Sequence, residues 1–271
     1  MPHKVRDKTR LFPHYRKMKE YGLIGHPLGH SFSKKFFTDK FCREGIDASY
    51  TNFDIPDASM LMDIIQEHPN LVGVNCTIPH KESAMRLLDD ISPEAQEIGA
   101  VNVIKILRHK DLSSGTSVRN IKLIGYNSDI IGFKQSIAPL LNASHRNALI
   151  LGTGGAAKAV AVGLRQLGLA HTYVSRSPKE EHLTYEDISA ERIHEFQVIV
   201  NCTPVGMFPH TDEAPQLPYD SLTPQHVLFD LVYNPEETLF LKKGKAQGAT
   251  TRNGMEMLRL QALAAWELWG K

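Results

Sequence analysis

The sequence predicts an α/β protein in two units, and three observations carry that reading. Short apolar runs alternate with amphipathic stretches along nearly the whole chain, as crossover-connected strands of a mainly parallel sheet require. At 271 residues the chain is long for one domain, since domains mostly run about 100–150 residues. Near the middle, a helix leads into a fresh apolar strand that ends in a glycine-rich turn, where a second unit begins.

Tyr21–Ile24 reads as the first strand, and Ser33–Arg43 as a helix with Phe36, Phe37 and Phe41 near one face. Tyr50–Ile55 is a second strand, Ala58–Glu67 a helix and Leu71–Asn75 a third strand. Val101–Leu107 and Ile121–Tyr126 flank the polar stretch 108–120 and read as a hairpin over a long exposed turn. Asp129–Leu141 is a helix capped by Asn127 or Ser128, carrying the chain into the second unit. There Asn147–Leu151 is a buried strand, followed by helix Ala156–Leu167, strand Thr172–Ser175, a short helix after Thr184 and strand Gln197–Asn201. A loop rich in proline precedes strand Val227–Leu231. A last helix, Gly254–Trp269, carries an apolar face of Met255, Leu258, Ala262 and Trp266 that needs a surface to pack on.

Bulk composition excludes several classes. A net charge of +1 gives no field favouring nucleic acid or an anionic membrane. Cys42, Cys76 and Cys202 lie far apart without Cys-x-x-Cys spacing, which points to reduced thiols in a cytoplasmic protein with no zinc site. No apolar run approaches the roughly 20 residues that span a bilayer. The first 17 residues carry six lysines and arginines against Asp7 alone, without the apolar stretch of a signal peptide. They read as a basic extension, with Met18 as an internal start.

Three polar segments fall at strand ends: Gly73-Val-Asn-Cys-Thr-Ile-Pro-His-Lys81, Gly99-Ala-Val-Asn102 and Gly125-Tyr-Asn-Ser-Asp129. Open α/β sheets bind ligands at the carboxyl ends of their strands, so Lys81, Asn102 and Asp129 form a candidate polar site. Gly152-Thr153-Gly154-Gly155-Ala156-Ala157 is the G-x-G-x-x-A form of the dinucleotide fingerprint. It follows a strand, opens a helix and precedes a second strand, the context that gives the motif its meaning. Gly152 permits the turn, Gly154 lets backbone approach a pyrophosphate, and the helix N-terminus presents free N–H groups to it. At the end of the next strand, where an NAD site places an acidic residue, stand Ser175, Arg176 and Ser177. Hydroxyls and a guanidinium suit a 2′-phosphate, so the cofactor expected is NADP.

Taken together, these segments resemble the shikimate dehydrogenase family from about Tyr21 to Lys271. The matching stretches are Ile24-Gly-His-Pro-Leu-Gly-His-Ser31-Phe-Ser33, Asn75-Cys-Thr77-Ile-Pro-His-Lys81, Gly99–Asn102, Tyr126–Asp129, Gly152–Ala156, Asn201-Cys-Thr203-Pro-Val-Gly206-Met and Gly254…Met257-Leu-x-x-Gln261. His26 stands where the family often has Asn, and Ser128 where Thr is usual. The resemblance implies an N-terminal α/β substrate domain and a doubly wound, Rossmann-type cofactor domain, with the C-terminal helix returning to the substrate domain. The implied boundaries are a basic extension over 1–17, substrate domain 18–125 with 255–271, and NADP-binding domain 126–254.

The implied reaction is reversible NADPH-dependent reduction of 3-dehydroshikimate to shikimate, in aromatic amino-acid biosynthesis. By resemblance Ser31, Ser33 and Tyr233 hold the substrate carboxylate, Thr77, Asn102 and Gln261 its hydroxyls, and Lys81 with Asp129 is the catalytic pair. Ser31 and Ser33 also have the position of ordinary helix caps. Thr203, Leu231 and Gly254 join the fingerprint loop and residues 175–177 in the implied cofactor site. A monomer and a homodimer are both open. So are two rivals on the same scaffold, an NAD-using quinate/shikimate dehydrogenase and a non-catalytic metabolite-binding regulator. A methyltransferase with a glycine-rich loop would leave the lysine, amide and carboxylate unexplained.

Overall fold

The computed structural model describes residues 18–29, 31–110, 119–177 and 181–270. The basic segment 1–17, the tip of the polar stretch after Arg108 and Lys179 lie outside them.

Two six-stranded sheets organise the chain. The first contains β1 (Lys19–Gly25), β2 (Ala48–Asp54), β3 (Leu71–Cys76), β4 (Asp90–Ile91), β5 (Val103–Lys110) and β6 (Arg119–Tyr126), in the order β2-β1-β3-β5-β6-β4. Pairing is parallel from β2 through β1 to β3, then antiparallel to β5 and through the β5–β6 hairpin. Its helices are α1 (Phe32–Glu44), α2 (Leu61–Glu67), α3 (His80–Ser83) and α4 (Pro93–Ile98). Ser31 caps α1 through its hydroxyl, and Gly45, at φ 63°, closes it. Connection to the second sheet runs through α5 (Asp129–Ile137). Its expected end at Leu141 is corrected to Ile137, because Pro139 cannot donate the next backbone bond and the chain tightens into a 3₁₀ turn.

The second sheet is wholly parallel: β7 (Asn147–Leu151), α6 (Gly155–Gln166), β8 (Ala170–Ser175), β9 (His182–Thr184), β10 (Val198–Asn201), β11 (Val227–Asp230), α7 (Leu239–Ala246) and β12 (Thr250–Arg252). Its order is β12-β11-β10-β7-β8-β9, the doubly wound arrangement with its switch point between β7 and β10. β10 and β11 are buried at every position, as expected of strands covered on both faces.

The final helix, α8 (Met255–Gly270), returns to the first sheet. Leu268 and Trp269 join Tyr21, Phe37, Phe41 and Tyr50 in one core cluster. The Trp269 indole packs where a Cβ on Gly73 would be, and donates from Nε1 to the Ile104 carbonyl at 3.2 Å. On its other side α8 meets α5, where a Cβ on Gly132 would stand 2.6 Å from the Met257 carbonyl oxygen. The helix is therefore buried on two sides, and its inward residues are Met257, Gln261, Ala262, Ala264, Ala265, Leu268 and Trp269. This corrects the single stripe expected through Met255, which is exposed.

Candidate active site

Lys81 sits in the short helix α3 just beyond the β3 end, and its backbone is fixed from both sides. The buried His80 ring meets the Ile55 carbonyl at 2.6 Å, and the Lys81 carbonyl accepts from Val101 N–H at 2.8 Å. The α4 terminus is closed by Gly99, at φ 70°, which turns the chain so that Asn102 falls between β3 and β6. There its N–H donates to the Tyr126 carbonyl at 3.0 Å and its carbonyl accepts from Cys76 at 2.9 Å. Asn127 begins α5: its Oδ1 accepts from Asp129 N–H at 3.0 Å, its amide donates to Ala100 at 2.9 Å, and Ser128 provides no side-chain cap.

These three segments converge. Lys81 Nζ donates to Asp129 Oδ2 at 2.6 Å, and Asn102 Nδ2 donates to Asp129 Oδ1 at 2.8 Å. Ser128 N–H donates to Asn102 Oδ1 at 2.7 Å, and the Ser128 hydroxyl lies 3.3 Å from Gln261 Oε1. Asp129 thus has an ammonium on one oxygen and an amide on the other. An ammonium held by a carboxylate in a concave site can stabilise growing negative charge on a bound oxygen and deliver a proton to it.

The pair opens into a cavity of about 270 Å³, near the lower end of the ~300–1,000 Å³ common for ligand pockets. Lys81, Asp129, Ser31, Ser33, Thr77, Asn102, Tyr233 and Gln261 all line it. Tyr233 comes from the loop after β11 and faces Phe32 of α1, with ring centroids 6.4 Å apart, so both sheets contribute to the walls. Asn75 also lines the cavity and was not singled out from sequence. Strand alternation carries the signal, since Asn75 and Thr77 are two residues apart and share a face.

The glycine loop borders the same space. Gly152 holds φ 98°, closed to ordinary side chains, and a Cβ there would stand 3.0 Å from Thr203. Around Gly154 nothing lies within 4 Å of a built Cβ, leaving its backbone and the α6 N-terminus open to a pyrophosphate. A Cβ on Gly155 would lie 3.9 Å from Lys81 Cδ, so the loop abuts the lysine stem. Thr153 and Ala156 are partly accessible, whereas Ala157 is wholly buried against the sheet. At the β8 end Arg176 and Ser177 are exposed. The Ser175 hydroxyl donates to the Ser177 carbonyl at 2.6 Å and shapes the turn that presents Arg176. Leu231 and Gly254 meet backbone to backbone: a Cβ at 254 would lie 2.1 Å from the Leu231 carbonyl oxygen. An open glycine cradle at a helix start, with an exposed arginine one strand away, fits NADP.

Beneath this edge lies a fully buried carboxylate. Asp230 accepts from Asn201 at 3.0 Å, Val232 N–H at 3.0 Å and the Thr238 hydroxyl at 2.6 Å. Asn201 Oδ1 in turn accepts from the Thr203 hydroxyl at 2.6 Å. Burial pushes the Asp230 carboxyl up to about 6. Burial also pushes up the Cys76 thiol, to about 12, and the Cys202 thiol, so neither is a ready nucleophile.

Residues 23–104 match the family model described as shikimate dehydrogenase substrate binding domain. A protein of Desulforamulus reducens named shikimate dehydrogenase (NADP(+)) is 35% identical over 274 residues, covering 93% of this chain and 90% of that one. The chain belongs to the shikimate dehydrogenase family. Among solved structures, Thermus thermophilus shikimate 5-dehydrogenase in complex with NADP(H) and shikimate is similar with a TM-score of 0.77 at 32% identity, over 93% of each chain. The ligand-free 5-ketofructose reductase of a Gluconobacter species is similar with a TM-score of 0.76 at 31% identity, over 94% of each chain. One fold thus serves enzymes named for different substrates, a cyclic hydroxy-acid and a keto-sugar, so fold alone does not choose between them.

Proposed function

We propose that this protein is an NADP-dependent shikimate dehydrogenase, reducing 3-dehydroshikimate reversibly to shikimate. The observation that carries the reading is the Lys81–Asp129 contact of 2.6 Å inside one small cavity walled by hydroxyls and amides and bordered by the glycine loop. Residues 18–125 with 255–271 form the substrate domain, and 126–254 the cofactor domain. Ser31, Ser33 and Tyr233 hold the carboxylate, which hydroxyl donors can bind without the broad anion affinity of an arginine. Thr77, Asn102 and Gln261 address the ring hydroxyls, each able to donate or accept.

When bound on residues 152–156, 175–177, 203, 231 and 254, NADPH supplies the hydride. Lys81 stabilises the charge that grows on the C3 oxygen and delivers its proton there, while Asp129 and Asn102 hold the ammonium in place. Arg176, at the mouth of the adenosine end, favours the 2′-phosphate and disfavours the NAD-using alternative. A carboxylate-binding wall likewise favours a cyclic acid over a neutral keto-sugar. Three free thiols suit a reducing cytoplasm. Among the described residues no helix is long and apolar enough to cross a membrane.

Steady-state rates with shikimate and with quinate, each paired with NADP⁺ and NAD⁺, test the reading, alongside NADPH oxidation by 3-dehydroshikimate and by 5-ketofructose. Turnover is expected with shikimate and NADP⁺ far above the other pairs. Binding without turnover would leave a regulator, and preference for NAD⁺ with quinate would leave the catabolic rival.

A further inference from the structure

Beneath the cavity floor, outside its lining, lies a phenol that no catalytic role uses. Tyr50 of β2 is only 4% exposed and stacks on Phe37 with ring centroids 4.9 Å apart and an interplanar angle of 11°. Its hydroxyl donates to Asn75 Oδ1 at 2.7 Å in a buried bond. The Ser33 side chain stands close to the phenol oxygen. Asn75 and Ser33 both line the cavity, from β3 and α1, so a single buried group reaches two of its walls.

A phenol has one proton, and here Asn75 Oδ1 receives it. That leaves the amide nitrogen with two. One N–H points to the Asn102 carbonyl at 3.3 Å, and the other remains for the cavity. Without the Tyr50 hydroxyl, Oδ1 would lose its donor and the amide could turn over, offering the ligand an acceptor instead. Burial holds the phenol well above its usual pKa, so the proton stays on Tyr50 at any working pH.

We propose that Tyr50 is a positioning residue for substrate recognition, fixing the Asn75 amide so that this wall of the cavity presents an N–H donor to the bound hydroxy-acid. The proposal rests on the reading of the cavity as a shikimate site. It deepens that reading by naming what sets the hydrogen-bond polarity of one wall.

Tyr50→Phe removes one oxygen and keeps the stack on Phe37. The expected result is a roughly five- to tenfold rise in KM for shikimate, the effect of one neutral hydrogen bond, with kcat within about twofold and KM for NADP⁺ unchanged. Asn75→Ala should raise the shikimate KM at least as far, and adding Tyr50→Phe to it should change nothing more, because Tyr50 acts through Asn75. An unaltered shikimate KM in folded Tyr50→Phe would overturn the proposal. So would effects that multiply in the double variant, or a parallel loss in kcat and NADP⁺ binding, which marks a merely structural role. Should Tyr50→Phe fold poorly, the wild-type Asn75 side-chain amide protons can be followed by NMR. They are expected to shift on saturation with shikimate but not with NADP⁺ alone, and indifference to shikimate would refute the idea. Wild-type protein that fails to turn over shikimate would defeat the functional reading itself, which is a separate outcome from active wild type with an indifferent Tyr50→Phe.

Discussion

The Lys81–Asp129 pair makes the sharpest prediction, through Lys81→Met, Asp129→Asn and the double variant. Methionine keeps most of the apolar stem that lies against Gly155, and removes the ammonium. Asparagine keeps an oxygen for the Asn102 amide, now at 2.8 Å, and likewise removes the charge. The two side chains are 17% and 11% exposed, so their interaction is shielded from the screening that makes surface pairs weak. A positioned acid–base group contributes about 10²–10⁴ in rate. At 1.36 kcal/mol per decade, that is roughly 3–5 kcal/mol of barrier. Lys81→Met should therefore lower kcat about a thousandfold while moving the shikimate KM by less than about fivefold. Asp129→Asn leaves the ammonium present but unheld, and should cost about a hundredfold. Because the two act as one unit, the double variant should lie within a few-fold of Lys81→Met rather than at the product of the two losses. Initial rates of NADPH formation across shikimate concentration, with melting temperatures to exclude unfolding, decide the matter. Multiplicative losses would show two independent functions, and a loss confined to KM would make Lys81 a binding group only.

Arg176→Ala should raise the KM for NADP⁺ by about 10- to 100-fold, the worth of hydrogen bonds to a charged group, and leave NAD⁺ kinetics nearly unchanged. Equal shifts with both cofactors would remove the guanidinium from the 2′-phosphate. Gly254→Ala places a methyl 2.1 Å from the Leu231 carbonyl oxygen, so backbone must move where α8 begins. It should lower unfolding free energy by about 1–3 kcal/mol, read from the urea midpoint, and an unchanged midpoint would contradict the contact. Asp230→Asn tests the buried carboxylate through its pH dependence. The folded-state pKa of about 6 exceeds the ordinary ~3.9, so this group's stabilising contribution is present at low pH and is lost as pH rises through 6. Relative to wild type, Asp230→Asn should gain about 2 kcal/mol between pH 4 and pH 7, whatever its constant cost from the lost Thr238 bond. A flat or falling difference would refute that assignment.

Much of the fold was legible because its strands bury both faces. Asn147–Leu151 and Val227–Asp230 are apolar runs with no competing period, and a glycine loop stands at the first of them. Helix α7 escaped notice for a physical reason. It is eight residues long with Gly244 near its end, and glycine costs a helix about 1 kcal/mol. The residue is there because Leu228 crosses so closely that a Cβ would stand 2.3 Å from it, a tertiary demand with no local trace. β12, which α7 feeds, was lost with it. The inward face of α8 was misplaced by the same kind of cause. One amphipathic stripe is the right expectation for a helix on a single surface, and α8 is clamped between α5 and the first sheet.

The candidate site divides along the same line. Lys81, Asn102 and Asp129 could be read because each closes a recognisable strand or opens a helix, and the carboxyl edge of a sheet is where such ends gather. Tyr233 and Gln261 carry no such local mark. They reach the cavity because a loop of the second sheet crosses to Phe32 and because α8 returns, so only a family resemblance could propose them. Ser31 shows why residue type alone under-determines function: its hydroxyl caps α1 at 3.2 Å while the residue also lines the cavity, so the same serine suits a cap and a binding group alike. Tyr50 lies furthest from any sequence signal, an aromatic at a strand position where an aromatic is unremarkable. Its one polar atom meets Asn75, the cavity residue that sequence also passed over. What sequence hides at this site is therefore the support beneath the contacts, since a buried hydroxyl reveals its role only through the partner it touches.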